Sequence, residues 1–364
     1  MRSRPTLESV ARQAAVSRQT VSNVLNAPHL VHPTTIERVR RVIDEVGYRP
    51  HGAARQLRTR RSHTVGLRLQ PSDGINGDIL DRFLHALTQT AQDHGYRVLL
   101  FTAADDDLEI ARYSELLDTV EIDAFVLTST HHDDPRTRWL ALRGVPFVTF
   151  GRPWDPAGEK DGGHAWVDVD GASGTRAATD HLRALGHRRI AFLGWPDGSD
   201  TGDDRRAGWR AGMTAAGIPA AEIASLDVGV PDDIEMAVAA ARRLLRESAP
   251  TAFVCVSDTL AVGVLAATRS IPPLRENSAG ESEQPRGAVA VVGFDDTPVA
   301  RTIGLTSVSQ PVTEAAKRAF LLLLDQLGRI GSPGTGRHVL LDPTLVVRRT
   351  SPRPDQQTQP QNPT

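Results

Sequence analysis

The chain has 364 residues, enough for two or three domains, of which 40% are hydrophobic, 24% charged and 5% aromatic. No apolar run nears the roughly 20 residues of a membrane-spanning helix, and the opening MRSRPTLESV lacks the apolar core of a secretory signal. A single cysteine, Cys255, excludes a disulfide framework and a multi-cysteine zinc or iron–sulfur site. The net charge of −2 is unevenly distributed. Residues 1–61 carry 12 arginines against Glu8, Glu37, Asp44 and Glu45, a net of +8. The other 303 residues carry 30 basic and 40 acidic side chains, a net of −10. A small basic head on a large acidic body is the footprint of a nucleic-acid module joined to something else.

The head reads as helices. Thr6 caps a first helix with Leu7, Val10, Ala11 and Ala14 at helical spacing. Ala14, Ala15 and Val16 form a tight connection, after which Ser17 caps a second helix. Val16 and Val21 occupy the two positions of a hydrophobic staple around that cap. Val21, Val24 and Leu25 make one apolar face. Arg18, Gln19, Ser22 and Asn23 fall on the other side, within an arc of about 140° at roughly 100° per residue. A third helix follows Pro33, with Ile36, Val39, Ile43 and Val46 inward and Gly47 as its stop; His32 is a poor cap for it. Residues 48–63, YRPHGAARQLRTRRSH, are an arginine-rich joint.

From Thr64 the pattern changes to short strands alternating with helices. Strands are expected at VGLRL (65–69), YRVLLF (96–101), IDAFVLT (122–128) and VPFVTF (145–150), with helices near 77–94 and 107–120. A second set holds AWVDVD (165–170), RIAFLG (189–194), TAFVCVS (251–257) and AVAVVGF (288–294). Its helices lie near 171–186, 203–217, 232–247 and 258–269. This alternation implies an α/β fold with parallel sheets, helices on both faces and two lobes. Residues 311–328 form another amphipathic helix, and LLDPTLVVRR (340–349) is strand-like. The segment 271–286 is a polar loop, and the tail 351–364 is expected to be disordered.

TLESVARQAAVSRQTVSNVLN (6–26) resembles the helix-turn-helix of LacI/GalR transcription regulators, and GYRPHGAARQL (47–57) resembles that family's third-helix end and hinge helix. GHRRIAFLG (186–194), RRAGW (205–209), SDTLAVG (257–263), VVGFDD (291–296) and LTSVSQP (305–311) resemble successive blocks of its effector-binding core. The resemblance implies a helix-turn-helix domain (1–50), a hinge helix (51–63) and a two-lobed periplasmic-binding-protein-like core (64–350). It implies three crossings between the lobes, placed near residues 166, 310 and 341. The N-lobe then comprises 64–166 and 310–341, and the C-lobe 167–309 and 342–350. The effector is expected in the cleft between the lobes, at the carboxyl ends of strands. Asn23 departs from the arginine common at that point of the recognition helix. The tail has no apolar heptads, so the tetramerising coiled coil of some relatives is not expected.

The second helix should enter the DNA major groove. Arg18 and Gln19 can reach base edges, and Asn23 can read adenine or contact phosphate. Ser17, Thr20 and Ser22 suit phosphate contacts, which the helix N-terminus favours. Leu57 lies among arginines and aligns with a leucine that wedges into the minor groove in the family. Arg205 and Asp295 match positions that commonly hold the family's ligand, and as a pair they suit a sugar's hydroxyls. Gln70, Thr128, Ser257 and Asp258 lie at strand ends toward the same cleft. Arg152, after Gly151, suits a ligand or interlobe contact. Trp154, Trp166, Trp195 and Trp209 read as core before ligand platform, although Trp154 and Trp195 sit in post-strand loops, where indoles can stack on sugar faces. HHDD (131–134) reads as a solvated loop rather than a metal site, and Cys255 as inert core. GASGT (171–175) is not a nucleophile elbow, and there is no phosphate-binding glycine loop.

The expectation is a cytoplasmic, nucleoid-associated transcriptional repressor that binds a palindromic operator in double-stranded DNA as a homodimer. A small-molecule effector, a saccharide rather than a purine or nucleoside, would control it. No catalysis, metal or cofactor is expected. An exported sugar-binding receptor would share the core but not the arginine-rich head. An enzyme acting on a sugar or nucleotide would need an acid–base or nucleophilic motif that is not found.

Overall fold

The structure, a computed structural model, describes residues 5–48, 61–69, 77–119, 122–154, 163–269, 289–328 and 337–351. Leu57, Gln70, the 271–286 loop, the tail beyond Ser351 and the expected hinge helix, except 61–63, lie outside the described residues. The chain divides into two compact units, one ending at Ser62 and the other beginning at His63.

The first unit is three helices, α1 (Leu7–Gln13), α2 (Arg18–Asn26) and α3 (Pro33–Val46), with a 3₁₀ turn at Pro28–Leu30 before α3. Thr6 and Ser9 close a capping box over α1: each side chain accepts from the other's backbone N–H. Ala15 turns the chain between α1 and α2 with φ +50. The Ser17 hydroxyl accepts from the Thr20 N–H at 3.0 Å, capping α2. Val16 and Val21 both join the core built on Val10, Ala14, Val24, Val39, Val42 and Tyr48. On α3 the fully buried positions are Val39 and Val42, while Ile36, Ile43 and Val46 flank them. The buried stripe is therefore centred nearer Val42 than the spacing had indicated. His32 makes no capping bond; Pro33 begins α3, and Gly47 ends it at φ +65.

The second unit contains two six-stranded sheets. The first has strand order β11-β5-β4-β3-β1-β2 and is parallel throughout. Its members are β1 (Thr64–Arg68), β2 (Arg97–Phe101), β3 (Ala124–Thr128), β4 (Phe147–Phe150), β5 (Ala165–Val169) and β11 (His338–Leu341). The second has order β12-β10-β9-β8-β6-β7, with only the β10–β12 pair antiparallel. It holds β6 (Ile190–Gly194), β7 (Asp227–Gly229), β8 (Ala252–Cys255), β9 (Ala290–Phe294), β10 (Thr306–Ser309) and β12 (Thr344–Val346). β3, β6, β8 and β9 are buried along their whole length, as parallel strands covered on both faces must be.

Along β3 the pleat divides the first lobe's core. Ala124 and Val126 face helices α4 (Gly77–Asp93) and α13 (Val312–Gln326), where Phe83, Leu87 and Phe320 pack. Phe125 and Leu127 face α5 (Asp106–Thr119) and α6 (Pro135–Leu142), against Tyr113 and Leu140. The second lobe has one continuous cluster, with Trp209 fully buried in it. Its remaining helices are α7 (Gly171–Ala184), α8 (Thr201–Ala215), α9 (Ala220–Ser225), α10 (Ile234–Glu247), α11 (Asp258–Arg269) and α12 (Pro298–Ile303). Cys255 is buried there, and burial pushes its thiol pKa up, away from reactivity.

The chain passes between the sheets three times: after β5, after β10 and between β11 and β12. The first passage corrects the placement at residue 166. β5 stays in the first sheet to its end, with Trp166–Val169 in register with His338–Leu341, so the chain leaves at Asp170. The segment 131–134 also differs from expectation. Asp134 caps α6, and Arg136, 1% exposed, is held by Asp134 and Glu109. HHDD is thus only partly a solvated loop.

Helices α7 and α8 lie unusually close. A Cβ on Gly208 of α8 would stand 2.0 Å from the Ala172 carbonyl oxygen, and one on Gly171 would stand 2.9 Å from Asp204 Oδ2. Thr175 Oγ1 donates to the Arg205 carbonyl at 2.6 Å across the same seam. Gly208→Ala is expected to lower stability by about 1–3 kcal/mol despite alanine's better helix propensity, because backbone must move to admit the methyl group. Urea unfolding followed by circular dichroism checks this.

Candidate functional site

In the first unit, α2 turns its apolar side inward through Val21 and Val24, which leaves a polar face outward. Ser17, Arg18 and Gln19 are exposed, and Thr20, Ser22 and Asn23 are half-buried. Gln19 Nε2 donates to Asn23 Oδ1 at 2.8 Å, so these two amides act as one pre-ordered pair. Asn26 Nδ2 caps back onto the Ser22 carbonyl at 2.7 Å. Arg18 stands at the first position of the helix, with its charge unopposed by any acid in that turn.

In the second unit, the polar residues concentrate where strands end and the chain crosses between sheets. Arg205, on the first turns of α8, is 5% exposed. Its Nη1 donates to the Val256 carbonyl at 2.6 Å and lies 3.7 Å from Asp295 Oδ1. Its guanidinium carbon sits 3.7 Å from the Phe294 ring centroid and 5.5 Å from that of Trp195. Its Nε has no hydrogen-bond partner among the described residues. A buried cation with one ion pair at long range and an open donor is poised for an additional oxygen.

Asp295 follows β9 with φ +107, and Asp296 follows with φ +52. Two successive non-glycine residues in this region store strain, of order 1–3 kcal/mol each. The surroundings hold them: Asp295 N–H donates to the Val308 carbonyl, and the Asp296 carboxylate takes Arg348 at 2.7 Å and Arg301 at 3.2 Å. Gln310, at the second crossing, donates to Asp295 Oδ1 at 2.6 Å. Arg82 of the first lobe reaches the Asp295 carbonyl at 3.5 Å.

The other expected residues divide by position. Arg152, after β4, donates to Asp168 at 2.7 Å and to Asp204 of α8 at 3.1 Å, thereby bridging the lobes. Its guanidinium lies 4.9 Å from the centroid of Trp154, whose buried indole N–H has no partner among the described residues. Thr128 ends β3, buried and paired in register with Phe150. Ser257 donates to Asp232 and accepts from Leu260 N–H. Asp232 also accepts from the Trp195 indole at 3.0 Å. Asp258 is fully buried, and both its oxygens are taken, by Ser307 Oγ and Thr297 N–H at 2.7 Å each. It fastens β8 to β10 and to the turn before α12 and does not face the cleft, which corrects its expected direction. Asp168, Asp204, Asp232 and Gln310 were not singled out from sequence. Near HHDD, ligand atoms of Asp106, His131 and Asp134 lie within 4.8 Å of one another, but Arg136 already occupies Asp134 and Glu109.

Burial pushes the Asp295 carboxyl up to about 7, against the opposing charge of Arg205. Burial likewise lifts Asp258 to about 6, against its bonds from Ser307 and Thr297. Burial lowers the pKa of Arg205, and Asp295 opposes that. Between its ordinary value of 3.8 and about 7, Asp295 keeps a proton in the folded chain that the unfolded chain has lost. Its contribution to stability is therefore largest below that window and falls as pH rises through it. Asp295→Asn removes this dependence. Its melting temperature relative to the unaltered chain is expected to rise steadily from pH 4 to pH 7.5 in thermal unfolding; a constant difference would contradict the assignment.

Residues 6–51 match the bacterial regulatory proteins of the lacI family. Residues 80–307 match the periplasmic binding proteins and sugar binding domain of LacI family, and residues 285–351 a periplasmic binding protein-like domain. The chain is 34% identical over 355 residues to the HTH-type transcriptional regulator CelR of Thermobifida fusca, covering 96% of this chain and 99% of that one. It is 28% identical over 355 residues to the ribose operon repressor of Escherichia coli strain K12, covering 94% and 98%. A solved transcriptional regulator CelR–cellobiose complex has a TM-score of 0.66 at 32% identity, covering 95% of this chain and 100% of that one. Because the matches run through both units, from residue 6 to residue 351, and a relative above 30% identity is covered almost end to end, the chain belongs to the LacI family of bacterial DNA-binding transcription regulators.

Proposed function

We propose that this regulator is a repressor that binds a palindromic operator as a homodimer and is switched by a saccharide held between its lobes. The observation that carries the effector reading is Arg205: a buried guanidinium beside Asp295, walled by Phe294 and Trp195, whose Nε has no partner among the described residues. Arginine donates to ring and hydroxyl oxygens, Asp295 accepts from hydroxyls, and the indole offers an apolar wall. Thr128, Arg152, Ser257 and Gln70 border the same cleft in this reading, and Asp258 supports it from behind. The relative solved with cellobiose makes that disaccharide the first probe. An exported receptor is disfavoured by the helix-turn-helix at residues 6–51.

On the DNA side, Arg18, Gln19 and Asn23 read base edges, and Ser17, Thr20 and Ser22 meet phosphate. Leu57 wedges into the minor groove. The exposure of the α2 polar face and the +8 charge of residues 1–61 support this. One headpiece is too small for a tight specific site, which favours a two-fold dimer. A hinge helix is marginal alone, so a ligand that binds two lobe arrangements with affinities a few kcal/mol apart changes operator occupancy.

Thermal-shift titration with cellobiose, other mono- and disaccharides and purines tests the effector. A saccharide is expected to raise the melting temperature, and Arg205→Ala to abolish the rise; a response to purines alone would overturn the saccharide reading. In gel-shift titration on DNA upstream of its own gene, Arg18→Ala should weaken specific binding by about 1–3 kcal/mol. Leu57→Ala should also weaken it while leaving the core fold unchanged. Unaltered operator affinity in both variants would refute the assigned DNA contacts.

A further inference from the structure

We infer that Arg206 is a positioning residue for the effector cleft, acting through Trp195; this rests on the reading that the effector lies beside Arg205. Arg206 follows Arg205 by one step of about 100° around α8, so it points away from the cleft. It is nonetheless 4% exposed. Its Nη1 donates to Asp197 and to Asp203 at 2.8 Å each, its Nε to Asp227 at 3.0 Å, and its Nη2 to the Trp195 carbonyl at 2.6 Å. Three carboxylates surround one guanidinium, and Arg210 joins them on Asp227.

The backbone is shaped to admit this group. Gly194 and Gly229 face each other in register at the ends of β6 and β7. A Cβ on Gly194 would meet the Phe192 ring at 2.4 Å and one on Gly229 the Trp195 carbonyl oxygen at 2.9 Å, and the two would also come to 3.1 and 3.3 Å from Arg206 Nη2. Asp203 also accepts from Gly198 N–H at 2.8 Å. Three bonds therefore tie the segment 195–198 to α8, two through Arg206 and one through its partner Asp203, and Arg206 is bonded in turn to Asp227 of β7. Trp195 is thus held at both ends, its carbonyl by Arg206 and its indole by Asp232. Its ring then stands as the wall beside Arg205. Neighbouring arginines divide the labour: Arg205 meets the effector, and Arg206 fixes the surface that the effector leans on.

The test uses the full chain labelled with 5-fluorotryptophan, with the Trp195 resonance assigned by Trp195→Phe. Arg206→Met is expected to shift and broaden the Trp195 signal, leaving that of buried Trp209 in place, and Arg206→Lys to restore it in part. An unmoved Trp195 signal in Arg206→Met overturns the inference. Should Arg206→Met fail to fold, Asp203→Ala, at a half-exposed position, removes one of Arg206's carboxylates and the bond to Gly198 N–H, and is expected to move the same signal. Calorimetric titration with cellobiose supplies the second readout. Arg206→Met should weaken binding roughly tenfold in the unaltered background and have no further effect on Trp195→Ala. Equal losses in both backgrounds would refute action through Trp195. Absence of cellobiose binding to the unaltered chain would count against the effector reading for that sugar, and the fluorine signal would still decide the role of Arg206.

Discussion

The architecture turns on one incompletely satisfied cation. Arg205 is removed from water by Phe294, Trp195 and the close seam between α7 and α8. Its nearest carboxylate stands at 3.7 Å, farther than a direct hydrogen bond reaches. That carboxylate is itself buried enough to hold its proton near neutrality. A fully matched pair would be inert structural cement; a cation without any partner would be too costly to bury. The intermediate arrangement leaves free energy to be gained when a polar ligand adds oxygens, and that gain is what can be divided between lobe arrangements.

Around this cation, the first turns of α8 send consecutive side chains in three directions. Asp204 reaches Arg152 of the other lobe and the Ala172 N–H, Arg205 lies in the cleft, and Arg206 ties the outer loop. Helical geometry alone produces this divergence. The glycines at 171 and 208 let the helix sit deep enough for all three contacts to form. The strained Asp295–Asp296 turn opposite is fixed by Arg301 and Arg348, so both walls of the site are rigidly supported from behind.

Much of this was legible in the residues. The helix caps at Thr6 and Ser17 and the apolar runs of β3, β6, β8 and β9 are local signals, and they appear where expected. Arg205 and Asp295, 90 positions apart, were paired through their motifs and lie together. What escaped was non-local or weakly patterned. PRTRWLAL forms α6 with Arg136 among its buried residues, which breaks any apolar period. β7 is three residues long. Asp258 follows β8 much as Asp295 follows β9. It begins a helix, however, and its carboxylate turns back to Ser307 and Thr297, a choice set by a strand some 50 residues away. Asp168, Asp204 and Gln310 acquire meaning only once the two sheets are assembled, since each sits where the chain or a contact passes between them.

The threefold passage between sheets also sets an order on synthesis. When residue 310 has been made, the second sheet lacks only β12, at its edge beside β10. The first sheet, although begun far earlier, still lacks β11, which closes the edge of β5. It also lacks α13, whose Ala316, Phe320 and Leu323 cover the face carrying Val126 and Val148. The lobe that starts first is completed last. From the synthesis of β5 until that of α13 and β11, its apolar face and its β5 edge are open to water, the condition under which nascent chains depend on chaperones.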